Sequence, residues 1–97
     1  MTVEFSNRAV ADLEEISVYS CREFGDRIAA ALAHRIRATI ERISEHPQSA
    51  ANVAQRPGVH VVQLGRFPFK IFYRVLEAKI RIQHIRHASR RPWEGEE

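Results

Sequence analysis

The sequence predicts an α+β domain: a short N-terminal strand, then an antiparallel helical hairpin packed on a twisted antiparallel sheet, in the order β-α-α-β-β-β. Three observations carry this. Apolar residues recur every three to four positions from Asn7 to about Glu45, the period of an amphipathic helix. Gly25 interrupts that run, and glycine is the residue that accepts a left-handed helix end. From Val59 onward the period becomes two, as strands require.

Each element follows in order. Val3 and Phe5 flank Glu4 in a short alternating segment, and Ser6 is a good helix N-cap. Val10, Leu13, Ile16, Ser20 and Phe24 form the expected buried face of the first helix, with Asp12, Glu14, Glu15, Arg22 and Glu23 on the solvent side. In the second helix the stripe is Ile28, Leu32, Ile36, Ile40 and Ile43. It ends before Pro47, because the residue preceding a proline is pushed out of helical geometry. Residues 47–58 are small and polar and read as a linker. Strands follow at residues 59–64, 69–76 and 79–83, joined by the turns Gly65–Pro68 and Glu77–Ala78. The alternation slips at His84–Ile85, which predicts a bulge or the end of pairing there.

The chain has 97 residues, 44% of them hydrophobic and 28% charged. That composition suits one ordinary globular domain, residues 1–97, too short for two cores. A single cysteine, Cys21, excludes an internal disulfide and any CxxC metal or redox motif; it reads as a small core side chain. No apolar run approaches the ~20 residues of a membrane span, and the first residues do not resemble a secretory leader. The expectation is a cytoplasmic protein with no membrane role and no cofactor.

Charge gives the first functional hint. The net charge is +3, and arginine supplies 13 of the 15 basic residues. Residues 56–97 hold 9 Lys+Arg and 4 Asp+Glu, whereas residues 1–55 hold 6 and 8. A focused, arginine-rich basic half points to an anionic partner. Lys70 and Arg74 share one strand face, with Phe72 between them, while Phe69, Ile71, Tyr73 and Val75 turn to the core. Arg66, Arg86, Arg90 and Arg91 lie at strand ends nearby, and Trp93 is a candidate aromatic anchor. His84 and His87 are three residues apart, on opposite faces of a strand, so no metal pair is expected. His34, His46 and His60 read as surface or boundary residues.

The segments FSNRAVADLEEI, SEHP, PGVHVVQLGRFPFKIFYRV and IRIQHIRHASRRPW, in that order and spacing, resemble the RelE/ParE superfamily of bacterial type II toxins. The resemblance runs from Val3 to Trp93. It implies a helical hairpin on a twisted sheet and a cognate antitoxin, a small protein with a DNA-binding head and a disordered tail that wraps the toxin, giving a toxin–antitoxin hetero-oligomer. Two long helices with a minimal joint look more like the ParE branch, whose members poison DNA gyrase and carry out no chemistry. The other branch cuts messenger RNA on the ribosome. For that activity the resemblance points to Lys70, His87 and Arg91 as catalytic candidates, although no tyrosine accompanies the C-terminal cluster. Target or antitoxin binding falls on Arg66, Lys70, Arg74, Arg86, Arg90, Arg91 and Trp93. A small basic nucleic-acid-binding module is the reading outside the superfamily.

Overall fold

The computed structural model describes residues 1–53 and 55–87. The elements are β1 (Thr2–Phe5), α1 (Asn7–Glu45), β2 (Ala51–Val53), β3 (Arg56–Gln63), β4 (Phe69–Val75) and β5 (Lys79–His87). The five strands form one sheet in the order β1-β5-β4-β3-β2.

The helical region is a hairpin. Gly25 has φ 87° and ψ 169° within α1, a combination essentially confined to glycine. An unbroken helix of 39 residues would be about 58 Å long at 1.5 Å per residue, yet the longest dimension of the molecule is 38 Å. The chain therefore turns back at Gly25, and residues 7–24 and 26–45 form two arms. Ser6 caps the first arm as expected: its Oγ accepts from the Ala9 N–H at 3.0 Å. The second arm ends as His46 donates its N–H to the Arg42 carbonyl at 2.9 Å.

The phase of the first arm differs from expectation. Ala9, Asp12, Ile16 and Ser20 are buried, whereas Val10 and Phe24 are 45% and 56% exposed. Small side chains at Ala9 and Ser20 let the helix approach its neighbours closely, and Ser20 satisfies its hydroxyl locally by donating to the Ile16 carbonyl at 2.6 Å. With the stripe rotated, Cys21 falls on the exposed side instead of in the core.

The sheet is mixed rather than purely antiparallel. β1 runs parallel to β5, with Val3 opposite Ile80 and Phe5 opposite Ile82. β3, β4 and β5 form the expected antiparallel meander. The linker contributes an edge strand of its own: β2 pairs with β3, and β3 starts at Arg56 rather than Val59. The expected slip in β5 is a bulge: Phe72 faces His84 and the next residue, Tyr73, faces Ile82, leaving Gln83 as the extra residue.

One core lies between the helical arms and the sheet. Ile16, Leu32, Ile36 and Ile43 meet Leu64, Phe69, Ile71, Tyr73, Ile80, Ile82 and Ile85. Each fully buried isoleucine contributes about 2 kcal/mol of apolar transfer energy. Tyr73 is fully buried and donates its hydroxyl to the Pro47 carbonyl at 2.7 Å. That bond ties the end of α1 to the sheet centre. Burial raises the Tyr73 pKa above its ordinary value. His60, expected near the surface, is instead buried and stacked on Tyr73, with Nδ1 3.2 Å from the Ala50 carbonyl oxygen.

Candidate functional site

Strand register builds the candidate site on the sheet face turned away from the core. Alternation places Lys70, Phe72 and Arg74 of β4 on this face. The partners directly opposite share it, in three rows: Gln63, Lys70 and Arg86; Val61, Phe72 and His84; Val59, Arg74 and Arg81. Lys70 thus faces Arg86, and Arg74 faces Arg81. Like charges directly opposite on neighbouring strands destabilise a sheet, so this face holds positive charge against its own folding preference.

The two charged rows are compensated differently. Glu4 of β1 is 2.7 Å from the Lys79 amine and 3.7 Å from the Arg81 guanidinium. The hydrogen bond from Lys79 lowers the Glu4 pKa below the ordinary carboxylate value, against desolvation that raises it. Lys79 is therefore an ion-paired residue at the start of β5. Arg74 donates Nη1 to the Pro57 carbonyl at 3.3 Å and crosses Gly58 so closely that a Cβ there would lie 2.6 Å from Nη1. Lys70 makes no ion pair among the described residues.

Arg66 occupies the β3–β4 turn, its guanidinium 5.6 Å from the Phe67 ring centroid. Arg35, which the sequence reading did not single out, reaches the same turn from the second arm: its Nη1 lies 3.4 Å from where a Gly65 Cβ would stand. Helical period alone places Arg35 on the polar side; it cannot say which turn of the sheet that side will meet. Arg66 and Arg35 thus meet at the β3–β4 turn, one from the turn and one from the second arm, and Lys70 follows near the start of β4.

The middle row is apolar and closed. Phe72, expected as an exposed aromatic, is only 7% exposed and stacks on His84, with 6.0 Å between ring centroids. His84 is 5% exposed, and its Nδ1 lies 2.7 Å from Asp12 Oδ2. Asp12, expected in solvent, is buried: it leaves the first arm where β1 stops and completes the edge of β5. His87 lies on the opposite side, as its spacing predicts, in edge contact with Phe69 of the core. Lys70 and His87 are therefore on different faces. Arg90, Arg91 and Trp93 lie outside the described residues. Among the described residues no three His, Cys, Asp or Glu side chains converge to hold a metal ion, and no helix is long and apolar enough to cross a membrane.

With this geometry in place, three kinds of relative can be compared. Residues 3–92 match the family described as the ParE toxin of the type II toxin–antitoxin system parDE. Toxin ParE1 of Caulobacter vibrioides is 50% identical over 42 residues. That match spans 43% of this chain and 44%, less than half, of the curated relative. Among solved structures, a chain of the chromosomal ParDE system of P. aeruginosa superposes with a TM-score of 0.79 at 26% identity, covering 92% of this chain and 97% of that one. The isolated E. coli RelE toxin superposes with a TM-score of 0.65 at 15% identity, covering 92% and 85% respectively, a likeness of fold. The family match spans residues 3–92, nearly the whole chain, and on that ground the chain belongs to the ParE toxin family of type II toxin–antitoxin systems.

Proposed function

We propose that this chain inhibits growth by binding and poisoning DNA gyrase, and that a cognate antitoxin neutralises it by covering the basic sheet face. The observation that carries the proposal is the composition of that face. It offers cations for an anionic surface, Lys70 above all, but among the described residues it assembles no exposed acid–base pair. Cleavage of RNA at a 2′-hydroxyl needs a base for the hydroxyl and an acid for the leaving oxygen. Among the described residues the histidine of its rows, His84, is buried against Phe72 and held by Asp12, and His87 faces the other way. A face that binds without chemistry suits a toxin that traps its target.

An extended acidic antitoxin segment matches the same face. It supplies countercharge for Lys70, which makes no ion pair among the described residues, and ordering on binding lets a disordered chain wrap a broad surface. Arg66 and Arg74 extend the contact, and Arg90, Arg91 and Trp93 are assigned to it from the sequence.

The test is a gyrase supercoiling assay with antitoxin-free protein. Inhibition with accumulation of cleaved DNA is expected, with relief on adding antitoxin. Supercoiling that proceeds unaltered in excess toxin removes the proposal. Cleavage of messenger RNA on programmed ribosomes would assign the chain to the ribonuclease activity instead.

A further inference from the structure

The second arm of the hairpin presents three sides. Leu32, Ile36, Thr39 and Ile43 are buried on the side of the core. Ala29, Ala33, Arg37 and Glu41 line the groove between the arms. The remaining flank carries Arg27, Ala31, Arg35, Ala38 and Arg42, at steps of four, four, three and four residues, the spacing of one helix face. Its three arginines are exposed. They span about 22 Å of the arm, at about 1.5 Å of rise per residue, with alanine between them on this flank.

The flank is poor in countercharge. None of its arginines makes an ion pair among the described residues. Of the acids on this arm, Glu41 lines the groove, Asp26 precedes Arg27, and Glu45 follows Arg42 at the far end. The sheet adds positive charge at the middle. Arg35 lies across Gly65, its Nη1 3.4 Å from where a Cβ would stand, and Arg66 is the next residue of that turn. From residue 46 to residue 76 the sequence contains no acid, so the turn brings none to Arg35. Helix stability does not account for the pattern. Arg42, in the last turn, suits the helix dipole, but Arg27, in the first turn of its arm, stands against it.

We infer that Arg27, Arg35 and Arg42, with Arg66 beside them, bind the phosphate backbone of duplex DNA. A protein partner calls for an apolar anchor at the centre of its contact, and this flank offers alanine there. Phosphate contacts need only charge and donors; guanidinium forks supply both, and the small alanines let the backbone come close. A duplex fits better than a single strand because it is stiff over this length. A straight, rigid row of cations then meets a fixed row of phosphates, one charge per about 1.7 Å of axis. The flank lies on the helix and the basic face on the sheet, so the inference does not depend on the gyrase proposal.

Fluorescence anisotropy with a labelled duplex of about 20 base pairs and the antitoxin-free chain tests it, with circular dichroism to confirm folding. Saturable binding below about 100 μM chain is expected at about 50 mM salt. Four phosphate contacts predict an affinity about 150-fold lower at 200 mM salt, and the double variant Arg35→Gln with Arg42→Gln a fall of only about 12-fold. Arg35→Gln and Arg42→Gln are each expected to cost at least about fivefold in affinity at the lower salt; Arg42 is clear of the Gly65 turn, so its variant separates charge from any change in the turn. Arg37→Gln and Lys70→Gln remove the same charge from the groove side and from the sheet face, and each is expected to cost less than about twofold. Absence of binding overturns the inference. So does a loss in either control that matches the flank variants, which would mean net charge or the sheet face. Equal or tighter binding of a single-stranded RNA of about 20 nucleotides overturns the assignment to duplex DNA.

Discussion

Asp12 Oδ2 accepts two hydrogen bonds from β5, one from the His84 imidazole at 2.7 Å and one from the Ile85 backbone N–H at 2.9 Å. Asp12 Oδ1 lies 3.5 Å from Arg8 Nε. One helical carboxylate thus does for the end of β5 what a neighbouring strand does for its beginning. β1 pairs with β5 only as far as Ile82. Beyond that point Ser6 takes over, donating its N–H to the Ile82 carbonyl and its hydroxyl to the Gln83 carbonyl, and Asp12 follows. The bulge at Gln83 is held where the first arm meets the sheet, so the position of Arg86 on the basic face depends on the helix.

Asp12→Ala should therefore be among the most destabilising substitutions in the first arm. It leaves two buried donors on β5 unsatisfied, at about 1–3 kcal/mol for each lost partner. Urea unfolding is expected to show a loss of about 2–4 kcal/mol in all. A change below about 0.5 kcal/mol, the scale of an ordinary surface substitution, would contradict the role assigned to this carboxylate.

Lys70→Glu should separate stability from function. Replacing a like-charge pair with Arg86 by an opposite one is expected to raise stability by about 0.5 kcal/mol. The same change reverses charge on the proposed binding face, and antitoxin affinity measured by calorimetry should fall at least about tenfold, or about 1.4 kcal/mol. Unchanged affinity would move the antitoxin away from this row.

Gly25→Ala should destabilise the hairpin by about 1–3 kcal/mol, although nothing lies within 4 Å of the added methyl. The cost is conformational, because an L-residue resists φ 87° with ψ 169°. A synthetic chain with D-alanine at position 25 should regain most of the loss in thermal unfolding. Equal destabilisation by both enantiomers would point to a contact rather than to backbone conformation.

Two groups should shape the pH dependence of folding, in opposite directions. The Tyr73 pKa is raised in the folded chain, by burial. Its contribution is complete below the ordinary tyrosine value, about 10, and is lost as pH rises through the folded value. Tyr73→Phe should flatten this alkaline limb and cost about 1 kcal/mol at neutral pH through the lost bond to Pro47. The Glu4 pKa is lowered, first by the Lys79 hydrogen bond. Its contribution is present above the unfolded carboxylate value and is lost as pH falls through the folded one. Glu4→Gln should shrink that acid limb. Unfolding curves across pH that match the wild type in both variants would refute these assignments.

Hydrophobic period and glycine placement, both readable along the chain, determined the hairpin joint at Gly25, the N-cap at Ser6, the meander of β3 to β5, the slip near His84 and the shared face of Lys70 and Arg74. These features are local: each depends on a residue's own backbone preference or on alternation within one strand. Packing decided the rest. Whether Ala9 or Val10 turned inward depended on how closely the first arm could approach the sheet, and helical period alone allowed both. The parallel pairing of β1 with β5 brings together the two ends of the described sequence, and no local signal reports a contact between distant segments. The edge strand β2 forms because β3 offers it unpaired backbone groups, not because its own residues alternate. Asp12 reads as a solvated helix charge until the fold places an open strand edge beside it. An acidic residue moves from surface to core when buried N–H groups elsewhere need an acceptor, and only the folded chain creates that need.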